Sequence, residues 1–253
     1  MKKLFLSLCI IACTILSCNP KKETKQENTV SLSTLYQNII NIDRLEQYDS
    51  LEIANKAFQG ELLKRTSIEA DELQLLKDLG LEVVESNDKK LTIFSWDTYL
   101  GGTMIDYDNV LWYQTPSGIK TSSLIVNSED AQGEASFFDI HDIIDGTKTY
   151  YLALNINKFS TKDVQEQIRV FSINDEELEL DNPIFISKNG EKSSSLEFNY
   201  DIFSILDNEK LELKELEYNK ETQTIRFPET GEDGEVLNSI KTYKWDGKNF
   251  VEQ

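Results

Sequence analysis

The chain has 253 residues, of which 45 are acidic and 26 basic, and its formal net charge is −19. A field of that sign repels nucleic acid, so we expect no nucleic-acid partner. With a single histidine and three cysteines, the composition offers no set of imidazoles for a zinc site. The sequence also contains no P-loop, G-x-G-x-x-G or G-x-S-x-G motif, and we predict no cofactor and no metal site.

The chain begins with a short, targeting-type segment. Lys2 and Lys3 precede the apolar run 4–16, whose thirteen residues are too few to span a bilayer. The run ends in Ile15-Leu16-Ser17-Cys18. This tetrapeptide resembles the lipobox of bacterial lipoproteins, although Leu16 stands where that family more often has a small residue.

The resemblance implies that residues 1–17 are a signal peptide that is cut after Ser17. Cys18 would then carry diacylglycerol and a further acyl chain such as palmitate, and multiple chains hold a protein stably on a membrane. It further implies a place in the cell envelope of a Gram-negative bacterium, with the outer membrane favoured over the inner one. The membrane, reached through this anchor, is the one partner that the sequence indicates directly.

Cleavage would also change the chemistry of the mature chain. Cys9 and Cys13 would leave with the signal peptide, so no disulfide and no free thiol would remain. Without Lys2 and Lys3, 24 basic residues would face 45 acidic ones, a formal charge of −21. Residues 18–30 are polar, and we predict a flexible tether that reaches about 20 Å.

Residues 31–80 have the apolar spacing of helices. Apolar residues recur at intervals of three and four in three successive stretches. Thr66 and Glu69 have the spacing of a capping box for the third helix, and Gly80 stands where a glycine would end it. The apolar positions are Leu32, Leu35, Ile39 and Ile42, then Leu51, Ala54, Phe58 and Leu62, then Leu73, Leu76 and Leu79.

Residues 81–253 alternate with a period of two and form the predicted β-rich domain. The segment is rich in β-branched and aromatic residues, and turn pairs such as Asn87-Asp88 and Asp145-Gly146 separate the strands. The predicted fold class is therefore mainly β, an antiparallel meander after a short helical segment. The strand groups 82–126, 134–186 and 192–251 permit a curved sheet, a sandwich or propeller-like blades.

The segment 94–113 holds the densest functional chemistry. Aromatic rings beside carboxylates are typical of sugar sites, because rings stack on sugars and carboxylates accept from hydroxyls. We predict that Trp96 and Trp112 share an exposed concave face, although routine structural aromatics are the favoured alternative. The strings Phe-Ser-Trp-Asp and Gly-Gly-Thr-Met resemble ones in uncharacterised secreted β-rich bacterial proteins, which implies no function. The candidate ligand-binding residues are Trp96, Asp97, Tyr99, Asp106, Asp108 and Trp112.

The sequence supports a binding role better than a catalytic one. His141 is predicted to be a solvated strand histidine, on the face opposite Phe138 and Ile140. The predicted function is a lipid-anchored, non-catalytic binding or assembly module whose ligand is an envelope protein or a glycan. The alternative is a glycan-acting hydrolase with two carboxylates, Asp97 with Asp106 or Asp108.

Overall fold

The computed structural model describes residues 30–44, 47–102, 104–124, 134–146, 148–206 and 211–253. The signal peptide, Cys18 and almost all of the tether therefore lie outside the described residues, and the predictions about them stay predictions. The predicted fold class is confirmed, since antiparallel strands dominate and a short helical segment precedes them.

Three helices occupy the segment in which they were predicted. They bury their apolar stripes against one another and against the first sheet, which explains why the spacing identified them. The predicted capping box is wrong, because the third helix begins after Glu69 and no side chain caps its first turn. Gly80 follows this helix with φ +99°, the conformation in which glycine ends helices. The helices are α1 (Leu32–Asn41), α2 (Tyr48–Leu62) and α3 (Ala70–Asp78).

The first sheet follows the helices and is a sequential antiparallel meander, as predicted. Its central strand pair buries residues on both faces, so the run from Ile93 to Trp96 is buried without interruption. The strands are β1 (Glu82–Glu85), β2 (Leu91–Asp97), β3 (Tyr107–Thr115) and β4 (Gly118–Ser123).

The second sheet has the order β11-β7-β6-β5, and the short strand β8 pairs with one end of β7. A bulge between Phe137 and Asp139 shifts the alternation of β5. The strands are β5 (Ser136–Asp145), β6 (Lys148–Lys158), β7 (Asp163–Asn174), β8 (Glu177–Glu179) and β11 (Ser195–Asp201).

The third sheet has the order β10-β9-β15-β14-β13-β12. Its members are β9 (Phe185–Ile186), β10 (Lys192–Ser193), β12 (Glu217–Asn219), β13 (Thr224–Thr230), β14 (Val236–Trp245) and β15 (Phe250–Glu252). The short helix α4 (Ile202–Leu206) follows β11.

The second and third sheets exchange strands, which the strand groups in the sequence did not indicate. β11 pairs with β7, while β9 leaves the second group and pairs in parallel with β15. Both sheets share one core on their facing sides, with Leu152 and Phe198 on one side and Phe227 and Phe250 on the other. The exchange therefore ties the two sheets together along the chain as well as through packing.

The helices and the three sheets stack in four layers. The first core lies between the helices and the outer face of the first sheet, and a second core lies between the first and second sheets. The third core joins the second and third sheets. Face-to-face stacking of this kind is the sandwich-type arrangement among those predicted. The outer face of the first sheet, which only the helices cover, is where the candidate site lies.

Candidate functional site

The six predicted site residues lie on the first sheet, but the structure does not bring them together. Asp97, Tyr99, Asp106 and Asp108 lie where β2 ends and β3 begins, a region that we name the carboxylate end. Trp112 is paired with Thr92, four residues before Trp96 on β2. Four residues of strand span about 13 Å, so the two tryptophans occupy separate rows of the same face.

Both tryptophans are buried, and the prediction of a shared exposed face is wrong. Trp96 is 1% exposed, stands perpendicular to Phe58 at 5.0 Å, and donates its Nε1–H to Asn55 Oδ1 at 3.0 Å. Trp112 is 8% exposed and donates its Nε1–H to the Leu62 carbonyl at 3.2 Å. The physical reason is that the helices cover the face on which alternation places both rings.

The carboxylates of the carboxylate end are engaged by the protein itself. Gln59 Nε2 lies 2.8 Å from both carboxylate oxygens of Asp108, and the Thr98 hydroxyl donates to Asp106 at 2.6 Å. The Tyr99 amide donates to Asp97 at 2.7 Å. Burial raises the pKa of Asp97, and burial raises the pKa of Asp108 to about 6 against hydrogen bonds from Asn109 and Gln59 that lower it.

These bonds shape the loop that joins β2 to β3. Tyr99 adopts φ +59°, and the Arg44 guanidinium lies 3.5 Å from the centre of its ring. A Cβ atom on Gly101 would overlap the carbonyl oxygen of Met104, so the loop passes too close to itself for any other residue. The loop at the carboxylate end is thus held closed by its own hydrogen bonds and close contacts. Ligand binding by its residues stays a prediction.

The other end of the same face is open. Because the helices cover the rows of Trp96 and Phe94 but not the far row of Gln114 and Ile119, a cleft of about 300 Å³ remains between α3 and the sheet. We name it the α3 cleft. Its apolar and aromatic lining consists of Ile68, Leu73, Val83, Phe94, Trp112, Tyr113 and Ile119. Its polar lining consists of Thr66, Lys77, Glu85, Lys89, Lys90, Thr92 and Gln114.

The floor of the α3 cleft is held rigidly. The rings of Phe94 and Trp112 lie 4.8 Å apart, and both belong to the core under the helices. Trp112 donates to the Leu62 carbonyl and Thr121 donates to the Leu63 carbonyl, both at the end of α2. Ile119, at the mouth, is 41% exposed. The cleft is therefore a preformed apolar surface with an accessible edge.

The rim of the α3 cleft is basic in a strongly acidic protein. Lys77 lies in the last turn of α3, and Lys89 and Lys90 lie in the turn between β1 and β2. Lys90 Nζ is 3.7 Å from Asp88, whereas Lys77 and Lys89 form no ion pair with the described part of the chain. The lining of the opening thus contains three lysines and one acid, Glu85, while Asp88 in the turn partly neutralises Lys90.

The turn that carries two of these lysines is fixed by the second sheet. Asp142, on β5, accepts from the backbone amides of Asn87 and Asp88 at 3.0 and 2.9 Å. The Ser86 hydroxyl accepts from the amides of Lys90 and Leu91. The sequence identified Asn87-Asp88 as a turn, but nothing local indicated that Lys89 and Lys90 would meet a helix across a cleft.

A second cleft of about 470 Å³ lies between the second sheet and the edge strand β12, and we name it the His141 cleft. His141 Nε2 is 3.2 Å from Asp139 Oδ2, and its ring packs 4.8 Å from that of Tyr218. His141 lies opposite Ile140, as predicted, but its side chain is 21% exposed rather than solvated, and burial lowers its pKa. Tyr218 of β12 covers this face of β5, and the bulge at Phe137 places Phe138 on the same cleft instead of opposite His141.

The deepest carboxylate of the His141 cleft is Glu166. It accepts from the Tyr200 hydroxyl at 2.8 Å and from the Leu216 amide at 2.7 Å, and burial raises its pKa. Glu215 and Glu217 also line this cleft, so its lining is acidic where that of the α3 cleft is basic.

Within the described residues, no group of three or more histidine, cysteine or acidic side chains is arranged to hold a metal ion. Among the helices of the described ranges, none has the length and apolar character to cross a membrane. No protein family matches the chain, and neither a curated protein nor a solved structure is detectably similar to it.

Proposed function

We propose that the protein is a lipid-anchored, non-catalytic binding module of the bacterial cell envelope that takes its ligand in the α3 cleft. The lipobox at Cys18 supports the anchor, and the preformed cleft supports the binding role. Ligand sites are concave, mostly apolar and largely preformed, with a few polar groups that orient the ligand. The observation that carries the proposal is the fixed Phe94–Trp112 floor with lysines at its edge.

The α3 cleft suits binding better than catalysis. Its polar lining offers ammonium, hydroxyl and amide groups and a single carboxylate, Glu85. No histidine, cysteine or pair of carboxylates lines it, so the two-carboxylate chemistry of a glycan hydrolase finds no support there. The polar groups of its lining can bind and orient a ligand.

The anchor is tested by replacing the lipidated cysteine. We expect Cys18→Ala to move the protein from the membrane fraction to the soluble fraction and to abolish the incorporation of labelled palmitate. Cys13→Ala is the matched control, because that residue would be removed with the signal peptide. Retention of the Cys18→Ala protein in the detergent phase would contradict lipid anchoring.

The alternative proposal is a glycan-acting hydrolase, and the His141 cleft is the place that favours it. Asp139 and Glu166 line one open cleft and burial raises the pKa of Glu166, whereas Asp97, Asp106 and Asp108 lie at the closed β2–β3 loop. Glycosidases use a carboxylic acid of raised pKa together with a second carboxylate.

Glu166→Gln separates the two proposals. For a hydrolase we expect the release of reducing sugar from envelope polysaccharide to fall by at least 100-fold, because the acid that protonates the leaving group is gone. For a binding module we expect no such activity in the unaltered protein and unchanged binding in the α3 cleft. Asp139→Asn is the companion variant for the second carboxylate.

A further inference from the structure

We infer that the ligand of the α3 cleft is a single-chain anionic amphiphile, with an apolar chain on the aromatic floor and a carboxylate or phosphate head between the rim lysines. This inference rests on the proposed function and names the chemical class of its ligand. Three independent features of the described residues support it: the charge of the rim, the size of the cleft, and its position beside the point where the predicted tether joins the domain.

The first feature is a local reversal of charge. The chain carries a formal charge of −19, yet the lining of one opening contains Lys77, Lys89 and Lys90 and a single acid, Glu85. Lys90 is paired with Asp88, so Lys77 and Lys89 are the lining lysines without an ion-pair partner among the described residues. Lys77 approaches from the helix and Lys89 from the β1–β2 turn, so these cations stand on two sides of the mouth. Each ammonium group offers three donors and no acceptor, and an anionic head is the strongest acceptor for it.

The second feature is the division of the cleft into a polar mouth and an apolar interior. Phe94 and Trp112 form the floor, and Ile68 and Leu73 form the wall on the helix side. A volume of about 300 Å³ is at the lower end of the range of ligand pockets. It suits one chain rather than the two chains of a phospholipid.

The third feature is the position of the cleft. Arg65 donates to the carbonyl of Val30, the first described residue, and Thr66 immediately after it lines the cleft. Glu72 of α3 accepts from the Leu32 amide at 2.7 Å and pairs with Arg65 at 3.1 Å. The predicted tether to Cys18 therefore joins the domain beside the cleft, and the proposed anchor would hold the mouth near a bilayer that contains such amphiphiles.

The overall charge does not oppose this ligand. A net negative field repels an anionic bilayer as a surface, and it falls off over about 8 Å at physiological ionic strength. A single amphiphile that has entered the cleft meets the nearby lysines rather than the distant acids. The domain would thus accept a monomer without adhering to anionic lipid as a whole.

The test is calorimetric titration of the full chain carrying Cys18→Ala, which lacks the acyl chains that would compete for the cleft. The probes are dodecanoate, dodecyl phosphate, dodecanol and dodecyltrimethylammonium, each below its micellar concentration. We expect the two anions to bind at least tenfold more tightly than the alcohol and the cation not to bind. Inorganic phosphate alone should not compete, because it has no chain to place on the floor.

The matched variants are two triple lysine-to-glutamine substitutions. Lys77→Gln, Lys89→Gln and Lys90→Gln together should remove the preference for anions and leave the affinity for dodecanol unchanged. The control carries the same change of charge outside both clefts, and it should keep the preference. Its substitutions are Lys158→Gln, Lys214→Gln and Lys244→Gln.

The outcomes separate this inference from the proposed function. Equal binding of dodecanoate and dodecanol to the unsubstituted rim would overturn the anionic head and leave the apolar cleft standing. Binding of none of the four probes would overturn the cleft as a ligand site. Tight competition by inorganic phosphate alone would show a simple anion site and would also overturn the inference.

The source of the ligand has its own readout. We expect native mass spectrometry of the lipidated protein, extracted from its own membranes, to show one single-chain anionic lipid bound. The rim triple variant should lose this adduct, and the control triple variant should keep it. An adduct of equal abundance on both variants would contradict capture through the rim.

Discussion

The two ends of the outer face of the first sheet contain similar residue types and differ in what those residues bond to. At the carboxylate end, Asp97, Asp106 and Asp108 accept hydrogen bonds from their own loop and from α2. In the α3 cleft, Ile119 and the lysines leave an apolar surface and cationic groups exposed to solvent. The first end is closed by its own contacts, and the second remains available.

Residue type alone therefore does not identify a binding site in this protein. Aromatic rings beside carboxylates are typical of sugar sites, yet here they also close a loop and fill a core. A binding site is distinguished by hydrogen-bond donors that have no acceptor in the protein and by apolar surface that no other element covers. By that criterion the lysines of the α3 cleft, which no sequence pattern indicated, are more informative about ligand binding than the acids of the carboxylate end.

The largest expected effect is that of Trp112→Ala. The indole is 8% exposed and donates to the Leu62 carbonyl, so its loss leaves a cavity and removes one hydrogen bond from that carbonyl. We expect the free energy of unfolding to fall by about 3–5 kcal/mol in urea denaturation. Tyr99→Ala at the carboxylate end is the control and should cost about 1 kcal/mol, since that ring is only partly buried and stacks on Arg44. Equal losses would remove the distinction between the two ends.

The next effect concerns the closure of the carboxylate end. A Cβ on Gly101 would overlap the Met104 carbonyl, whereas a Cβ on Gly102 meets no atom within 4 Å. We therefore expect Gly101→Ala to lower the free energy of unfolding by about 2 kcal/mol and Gly102→Ala by less than about 0.5 kcal/mol. Thermal unfolding of the two variants side by side measures the difference. Tolerance of alanine at position 101 would show that this loop is not tightly closed.

The third prediction uses the titration of Asp108. Burial raises its pKa in the folded protein to about 6, from 3.8. Between these two values the folded state holds a proton that the unfolded state releases, so this carboxyl group stabilises the fold at low pH and loses that contribution as pH rises through 6. The Asp108→Asn protein has no titrating group at this position, so its stability lacks this dependence on pH.

The measurement compares unfolding of the two proteins at pH 5 and pH 7. We expect the original protein to lose about 1–2 kcal/mol more than Asp108→Asn over this range, because one pKa unit corresponds to about 1.4 kcal/mol and the group retains some solvent. Asp246→Asn is the control, since backbone amides lower the pKa of that exposed residue. Parallel pH profiles for the original protein and Asp108→Asn would contradict the burial of this group.

The smallest expected change in stability, and a direct test of the open end, comes from Thr92→Phe. The Thr92 side chain lines the α3 cleft, so a phenyl ring there occupies space that the ligand needs. We expect dodecanoate to bind about tenfold more weakly while the free energy of unfolding changes by less than about 0.5 kcal/mol. Thr224→Phe on β13 is the matched control outside the cleft. Unchanged affinity in Thr92→Phe would place the ligand elsewhere.

Much of the fold follows from local pattern. Spacing at three and four identified the helices around Leu32, Leu51 and Leu73, because each helix buries one stripe. Alternation identified β11, where Leu196, Phe198 and Tyr200 face the core and the residues between them face solvent. Alternation gave less information in β2, since a strand buried on both faces has no polar side.

The candidate site was less predictable. Trp112 was among the predicted residues, but the α3 cleft depends on where α3 lies across four strands, and no local pattern encodes that distance. Lys77 and Lys89 are twelve residues apart in sequence and belong to a helix and a turn. The contact of His141 with Tyr218 likewise depends on β12 lying over the second sheet, a long-range placement that alternation alone does not reveal.

The mainly β fold, the leading helices and most turns follow from local sequence, because they depend on periodicity, on glycine and on the propensities of neighbouring residues. Tertiary packing determines which aromatics are core, which strands change sheets and where a face stays uncovered. These outcomes depend on contacts between residues far apart in the chain: three short helices cover only part of a four-stranded sheet, and the uncovered part is the cleft.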